Sequence, residues 1–402
     1  MSAESITLRS MAPSVFLPVM VYEIGNGAIA PVIALTALHL GAAPGLAGFM
    51  AALTGIGQIA GNLPAARLAD RLGERRCMIV ASALSVVCLL TCATAPSLPV
   101  LAPPLLLIGV SNSAYYLARQ SYLTETTPPQ LRARAMSTLG GSHRIGVLIG
   151  PFAGAGAIAL MGLRGAFLVA AVAVACAGVV LAVVPGDGGS GRVAGEPGPG
   201  VRQVLAAHRR LYFTLAVTVL LLRAVQNGRQ TILPLWTDHV GIDAGTTSLI
   251  FGAATAVEVL MFYPAGKVMD RYGRLAVALP SILLVALAMF LLPLTHAVVT
   301  VAVVAMIAGL GQGTGAGLIF TLAADAAPRE GRGRFLAVWR LFSDSGSAIG
   351  PVVVSVVVAV SVPGAAAVLG FLGLAAAGGL ARWVPRYSSF ATPQSTRAHR
   401  SA

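Results

Sequence analysis

The stretch LADRLGERRC, residues 68–77, holds five charged residues in ten positions, although charged residues make up only 10% of the chain. Two hundred positions later, the stretch VMDRYGRLAV, residues 268–277, repeats Asp, Arg and Gly at the same places. Each stretch lies between two long apolar runs. A polar segment that recurs at the same place among apolar runs indicates that the chain is built from two related halves.

The composition is that of a membrane protein. The chain has 402 residues, of which 56% are hydrophobic, and its mean hydropathy is +0.83. Soluble domains carry about 25% charged residues, so this chain has too few to cover a surface that faces water. The net charge of +13 does not indicate a nucleic-acid partner, because the basic residues lie in short clusters between apolar runs and not on one face.

Apolar runs of about 20 residues can cross the hydrocarbon of a bilayer as helices. Six such runs lie on each side of the Gly- and Pro-rich stretch at residues 185–200. They lie near 12–38, 46–66, 77–95, 100–123, 135–160, 166–184, 211–236, 246–266, 276–295, 298–323, 335–360 and 364–384. The sequence therefore predicts an all-α membrane protein with twelve transmembrane helices in two pseudo-symmetric six-helix bundles. We expect an N-terminal bundle at 1–184, a cytoplasmic linker at 185–207, and a C-terminal bundle with a short tail at 208–402.

Basic residues predict how the chain crosses the membrane, since cytoplasmic loops carry an excess of Lys and Arg. With the N-terminus placed in the cytoplasm, the inner segments carry 21 basic residues, and the outer loops carry Arg164 alone. An odd number of spans would scramble this bias. We therefore expect a multi-pass protein of the bacterial cytoplasmic membrane with both termini in the cytoplasm.

A constant shift of 200 positions superposes residues in loops and in helix centres alike. The matched pairs include Asp70 with Asp270, Arg71 with Arg271, Gly73 with Gly273, Glu125 with Asp325, Gly146 with Gly346, Gly150 with Gly350 and Pro151 with Pro351. Because each half has an even number of spans, both halves have the same orientation. The sequence predicts a parallel duplication about an axis along the membrane normal.

These motifs resemble those of the major facilitator superfamily. ARLADRLGERR, residues 66–76, is similar to the family's GxLaDrxGrrk loop between spans two and three, with Ala66 in place of the first Gly. AGKVMDRYGR, residues 265–274, is the second copy. GVLIGPFAG, residues 146–154, resembles the GxxxGPxxGG signature of the drug:proton antiporters, and GSAIGP, residues 346–351, is its partner in span eleven.

The resemblance implies a conformational latch in the loop between spans two and three. It implies that Asp70 approaches span eleven, and that an Arg of the loop, such as Arg71, pairs with the acidic end of span four. That acid is Glu125 in the first half and Asp325 in the second. Gly73 and Gly273 would permit the tight turn, and Asp270 and Arg271 would repeat the latch. Alternatively, the loop arginines are only topology charges.

Charged residues inside the spans cost about 2.5–3.5 kcal/mol each on insertion scales, so they indicate a function or a partner. Glu23 lies near the middle of span one, and the shift of 200 places Arg223 at the matching position of span seven. Arg144 and Asp344 form another matched pair of opposite sign. If spans one and five adjoin, as the resemblance implies, Glu23 can meet Arg144. Arg223 can then meet Asp344.

Carboxylates inside the spans are the candidates for carrying a proton, because a low dielectric disfavours their charged form. Glu23 is the first candidate, followed by Glu258 and Asp344. The candidates for charge partners and for a substrate cavity are Arg144, Arg223, Arg119, Tyr115, Arg229 and Arg340, and His143 completes the set of polar residues. Tyr115 could instead anchor at the membrane interface. For all of these charges the alternative is a static ion pair that holds helices in register.

The predicted function is export of small, lipophilic or drug-like compounds by proton antiport with alternating access. The alternatives are an importer or metabolite carrier on the same fold, and a membrane sensor that does not transport. No catalytic constellation or metal-ligand cluster stands out in the sequence, so we expect no enzyme activity, metal or cofactor. We expect a monomer in the lipid bilayer whose partners are a small-molecule substrate and protons, with no nucleic acid.

Overall fold

The computed structural model of the protein describes residues 12–127, 131–184, 206–315, 317–328, 332–388 and 390–393. Among these residues, twelve helices are long and apolar enough to cross a membrane, which confirms the predicted spans. Their bounds are α1 Leu17–His39, α2 Pro44–Leu72, α3 Glu74–Thr94, α4 Leu98–Thr124, α5 Arg134–Met161, α6 Leu163–Val183, α7 Arg209–His239, α8 Ala244–Tyr272, α9 Leu275–Leu294, α10 Val298–Ala326, α11 Phe335–Val358 and α12 Val362–Tyr387. The helical backbone satisfies its own N–H and C=O groups, as a segment in lipid must.

Two compact units make up the chain. The first holds residues 1–195 together with 243–252, and the second holds 196–242 and 253–402. The predicted domain bounds stay a prediction, since residues 185–205 of the predicted linker lie outside the described residues.

The helices pair in the same way in both halves. In the first half α1 packs against α5 and α6, α2 against α4, and α3 against α4 and α6. In the second half α7 packs against α11 and α12, and α9 against α10 and α12. The α8–α10 contact is made where Gly309 and Gly313 meet the backbone of Ala254 and Glu258. This recurrence is expected for two copies of one six-helix bundle.

Local irregularities recur as well. A π-helical turn, Ala12–Phe16, precedes the first helix, and a second, Tyr212–Ala216, lies 200 positions later in α7. The α10 span is less regular, because Gly317 has a left-handed backbone (φ +83°) at the start of its last segment, Leu318–Ala326. Gly309 and Gly313 pack closely against α8, whereas Gly317 interrupts the helix.

Asp243 begins α8. Its carboxylate accepts hydrogen bonds from the backbone N–H of Thr246 at 2.9 Å and from the Thr246 hydroxyl at 2.6 Å. These two bonds satisfy a free donor of the first helical turn, and they hold the pKa of the Asp243 carboxyl below its usual value.

Candidate functional site

Glu23 of α1 is the centre of a buried polar cluster in the first half. Its side chain is only 1% exposed, yet its carboxylate meets four polar atoms. Arg119 Nη1 donates to Oε1 at 3.0 Å, and Asn26 Nδ2 and the Tyr116 hydroxyl donate to Oε2 at 3.1 and 3.2 Å. His143 Nδ1 lies 2.8 Å from Oε1. The carboxylate thus accepts three hydrogen bonds and has the His143 ring as a fourth close neighbour.

The predicted pairing of Glu23 with Arg144 is wrong. Spans α1 and α5 do adjoin, as expected, but the α5 side chain that reaches Glu23 is His143, and Arg119 of α4 supplies the cation. Successive residues of a helix point about 100° apart, so His143 and Arg144 cannot both face α1. The charge at the centre of the bundle is therefore balanced from α4.

Two tyrosines extend this cluster through the core of the bundle. The rings of Tyr22 and Tyr115 are stacked, with centroids 3.8 Å apart and planes within 7°. The Tyr22 hydroxyl donates to Asn112 Oδ1 at 2.7 Å, and Asn112 Nδ2 donates to Asn26 Oδ1 at 3.3 Å. An unbroken chain of side chains thus links Tyr22 to Glu23 through Asn112 and Asn26.

Tyr115 and Arg119 were candidates for a substrate cavity. Tyr115 is fully buried, which excludes an anchor at the interface, and its hydroxyl has no hydrogen-bond partner among the described residues. Both residues line a void shared with Val19, Met78 and Leu181, but this void has no room for a water molecule. Within the first unit, then, Tyr115 is a packing residue for Tyr22, and Arg119 is a charge partner of Glu23.

The second half has charges at the matching places with different partners. Arg223 of α7 donates from Nε to the Ser343 hydroxyl of α11 at 3.1 Å, and Asp344 pairs with Arg340 one turn away at 3.5 Å. Arg223 and Asp344 interact electrostatically, as expected, but the closest contacts of each go to Ser343 and Arg340. The contact from α11 comes from the residue before the predicted one, as it does in α5.

One pairing in the second half was not predicted. Glu258 has no acidic counterpart under the shift of 200, but Arg229 Nη2 lies 3.8 Å from its Oε2. Arg229 is 7% exposed, and within the described parts of the chain its Nε has no hydrogen-bond partner. Arg229 lies six residues after Arg223 on the same helix, and only the packed structure reveals which neighbouring helix it meets.

The glycines of the antiporter-type motif lie beside Glu23 and Arg223. A Cβ added at Gly146 of α5 would overlap the Met20 carbonyl oxygen and lie 2.7 Å from Glu23 Cβ. At Gly346 of α11 it would overlap the matching carbonyl in α7 and lie 2.8 Å from Arg223 Cβ. Both glycines therefore let the backbones touch beside the charged residue.

The rest of the motif continues the same contact. Gly150 approaches Gly27 and Ala28 of α1, and Gly350 approaches Ala224 of α7, again with no room for a Cβ. Pro151 and Pro351 follow inside α5 and α11. The sequence motif thus corresponds to two matching helix contacts, α1 with α5 and α7 with α11.

An ion pair between a loop arginine and the acidic end of α10 is present in the second half. Asp325 near the end of α10 accepts from Arg274 Nε at 3.1 Å and from the Ser388 hydroxyl at 2.6 Å. Arg274 Nη1 also lies 3.7 Å from Asp270. The pairing arginine is Arg274 and not Arg271, whose guanidinium lies over the ring of the adjacent Tyr272.

The first half is described only in part at this place. The side chain of Glu125 lies outside the described residues, so its predicted pairing is untested. Asp70 and Arg71 are exposed. Arg75 donates from Nε and Nη2 to carbonyl oxygens at the end of α6. An arginine in the first turn of α3 therefore binds the end of α6.

The segment after α12 folds onto the loop that contains Gly273. The backbone N–H groups of Arg274 and Leu275 donate to the carbonyl oxygens of Phe390 and Ala391 at 2.9 and 3.0 Å. Gly273 has φ +89°, and a Cβ there would lie 2.9 Å from both of those oxygens. This tail contact satisfies N–H groups at the start of α9, and a side chain at 273 would disturb it.

We expect Gly273→Ala to lower the thermal stability of the detergent-purified protein more than Gly73→Ala does. Both positions have positive φ (+89° and +80°), so each substitution carries about 1–2 kcal/mol of backbone strain. Gly273 adds the overlap with the tail, whereas no described residue lies within 4 Å of a Cβ at Gly73. Thermal melts monitored by size-exclusion chromatography measure the difference. Equal shifts would show that the tail contact adds no constraint.

The charged clusters around Glu23, Arg223 and Glu258 contain groups that could exchange a proton or change ion-pair partners. In the described parts of the chain, no group of three or more His, Cys, Asp and Glu could hold a metal ion. Sequence reasoning did not single out Asn26. The signal that could have found it was spacing, because Asn26 lies three residues after Glu23.

Comparisons with known proteins agree with this architecture. The sequence model of the Major Facilitator Superfamily matches residues 15–236 and again 215–401. Multidrug resistance protein MdtG of Escherichia fergusonii is 28% identical over 165 residues, and that of Yersinia enterocolitica is 30% identical over 165 residues. Each match covers 40% of this chain and 40% of the relative, so it spans about two fifths of the length of these relatives.

Solved structures resemble the whole chain. A POT family transporter in complex with 5-aminolevulinic acid has a TM-score of 0.75 at 13% identity and covers 94% of this chain and 96% of its own. The xylose transporter XylE from E. coli has a TM-score of 0.72 at 16% identity, with 98% and 100% covered. At such low identity this likeness concerns the fold alone.

Proposed function

This chain belongs to the major facilitator superfamily, and from that membership we propose that it exports small, lipophilic compounds from the cell in exchange for protons. It is a transporter and a multi-pass protein of the bacterial cytoplasmic membrane. Export by antiport is supported by the antiporter-type contacts of Gly146 and Gly346 and by the multidrug resistance relatives. The substrate is a small molecule, and the coupling ion is the proton.

The buried cluster around Glu23 is the observation that carries this proposal. A carboxylate that is 1% exposed and has four polar neighbours can be kept inside a membrane protein only with its charge balanced. A change in the protonation of the cluster changes that balance and so favours a different arrangement of α1, α4 and α5. An antiporter needs such a group, since its proton-loaded and substrate-loaded forms must differ in conformational preference.

The charges of the second half are the reserve sites in this proposal. Glu258 faces Arg229 at 3.8 Å, a separation that leaves both groups able to take other partners, and Asp344 with Arg340 forms a shorter pair. We assign the primary coupling role to the Glu23 cluster, with Glu258 next and Asp344 third. Arg274 and Asp325, with the matching loop of the first half, would act as the conformational latch.

Transport by the purified protein in liposomes tests the proposal. We expect an acidic lumen to drive accumulation of a substrate, because protons leaving the lumen are exchanged for it. The panel is a permanent cation, ethidium, an anion, 8-anilinonaphthalene-1-sulfonate, and a neutral compound, chloramphenicol, with the membrane potential clamped by potassium and valinomycin. Protein-free liposomes with the same gradient are the control.

The direction of the gradient separates the alternatives. Accumulation that requires an alkaline lumen would identify a proton symporter and overturn antiport. Equal accumulation with and without a gradient would overturn proton coupling. Binding of a probe without flux in either gradient would favour a membrane sensor.

A further inference from the structure

His143 is the accessible member of the Glu23 cluster. Its side chain is 38% exposed, whereas that of Glu23 is 1% and that of Arg119 is 15%. The Nδ1 atom of His143 is itself buried and lies 2.8 Å from Glu23 Oε1. The accessible part of the imidazole therefore lies away from Nδ1. A proton that reaches the cluster from its exposed side meets His143 before it meets Glu23.

The short distance fixes the position of one hydrogen. A carboxylate oxygen and an unprotonated ring nitrogen are both acceptors and would repel each other at 2.8 Å. Nδ1 therefore carries a hydrogen, although its contact with Glu23 is a close charge contact and not an aligned hydrogen bond. In the neutral imidazole the other nitrogen, Nε2, then has a free lone pair, and this is the atom that can take up a further proton.

The place of the added positive charge decides which group exchanges the proton. If Glu23 were protonated, the guanidinium of Arg119 would be left without its counter-charge, and an unpaired buried charge is strongly unfavourable. If His143 is protonated instead, Glu23 stays ionised between two cations and keeps its hydrogen bond from Arg119. Loss of that proton leaves the Glu23–Arg119 pair intact and neutral. The exchange at His143 is therefore the one that keeps the Glu23–Arg119 pair, and it places the added positive charge on the most exposed of the three side chains.

We propose that His143 takes up and releases the coupling proton, with Glu23 as its fixed counter-charge. In the step itself, Nε2 accepts a proton from hydronium to give imidazolium and water, and the reverse step returns the proton to water. The groups that face the ring are Glu23 from α1 and Arg119 with Tyr116 from α4, and Arg144 is its neighbour on α5. This inference rests on the proposed proton exchange and names the residue that performs it.

The test compares His143→Gln with wild type in two measurements. Gln keeps a donor for Glu23 but cannot change its protonation. We expect the affinity of the purified wild type for ethidium to rise about tenfold between pH 5.5 and pH 8.5. His143→Gln should bind ethidium equally at every pH, and in liposomes it should equilibrate ethidium but no longer accumulate it against an acidic lumen. His39→Gln, an exposed histidine at the end of α1, is the matched control and should behave as wild type.

The outcomes separate this inference from the proposed function. If wild type accumulates ethidium and His143→Gln keeps the wild-type pH profile, the proton resides elsewhere and His143 is only structural. If wild type shows no gradient-driven accumulation of any probe, the proposed antiport fails and this inference fails with it. If His143→Gln is poorly folded, His143→Asn provides a second non-titrating variant, and pH-dependent binding by that variant would overturn the assignment.

Discussion

Glu23→Gln is expected to abolish gradient-driven accumulation of substrate while leaving the probe bound at equilibrium. Gln can still accept and donate hydrogen bonds, so Asn26 and Tyr116 keep a partner. It carries no charge, however, so Arg119 loses its counter-ion and His143 loses the carboxylate 2.8 Å away that balances its added proton. We expect accumulation in acidic liposomes to fall to about a hundredth of wild type or less. Ethidium binding should no longer vary with pH.

Asp238→Asn provides the matched control for this substitution. Asp238 is an exposed carboxylate near the end of α7, and its removal changes the charge of a span by the same amount. We expect this variant to accumulate substrate as wild type does. Normal accumulation by Glu23→Gln against a gradient would show that the proton travels elsewhere. Glu258 would then be the next residue to test, with Arg229 as its partner.

Gly146→Ala is expected to reduce transport to about a tenth of wild type or less, with lower thermal stability in detergent. The new Cβ would overlap the Met20 carbonyl oxygen and lie 2.7 Å from Glu23 Cβ, so α1 and α5 must separate. Overpacking of this kind costs about 1–3 kcal/mol, and it also moves Glu23 relative to His143. Gly346→Ala should act similarly through Arg223 in the second half.

Gly156→Ala on the same helix provides the control for the glycine variants. No atom lies within 4 Å of a Cβ at Gly156, and Ala is favoured over Gly in a helix by about 1 kcal/mol. We expect this variant to be at least as stable as wild type and to transport normally. Wild-type behaviour by both Gly146→Ala and Gly156→Ala would mean that α1 and α5 tolerate separation, and that the motif does not position Glu23.

The spans and the repeat could be predicted because they depend on short-range rules. Lipid requires every backbone polar group to be bonded within a helix, so the length of an apolar run is enough to identify a span. The shift of 200 positions superposed Gly146 on Gly346 and Asp70 on Asp270, and the helix pairs recur under the same shift. Neither inference needed knowledge of which side chain faces which neighbour.

The partners of the charged residues could not be predicted in the same way. The choice between His143 and Arg144 depends on the rotation of α5 about its axis, which the apolar pattern of a span leaves poorly defined. In the latch, the choice between Arg271 and Arg274 depends on the path of the chain around Gly273. That path is set by the tail carbonyls of Phe390 and Ala391, more than 100 residues away. Such contacts belong to tertiary structure.

Residues 200 positions apart occupy equivalent places in the two bundles, but their side chains can differ in charge. Glu23 and Arg223 occupy equivalent places of opposite sign, and each lies beside a glycine of the adjacent helix. Glu23 binds Arg119, but the residue equivalent to Arg119 is Ile319, so the second half cannot repeat the pair. The packing of the duplicated bundle has been kept while its buried charges have diverged. We therefore place the coupling site in one half only.

Proton release on ligand binding tests most directly whether the Glu23 cluster holds the proton that is exchanged for substrate. Ethidium is added to the purified protein in weakly buffered detergent solution near neutral pH, and a pH indicator reports the protons set free. The account predicts release of up to about one proton per bound ethidium by wild type. It predicts no release by Glu23→Gln at saturating ethidium. Release by Glu23→Gln equal to that of wild type would contradict it.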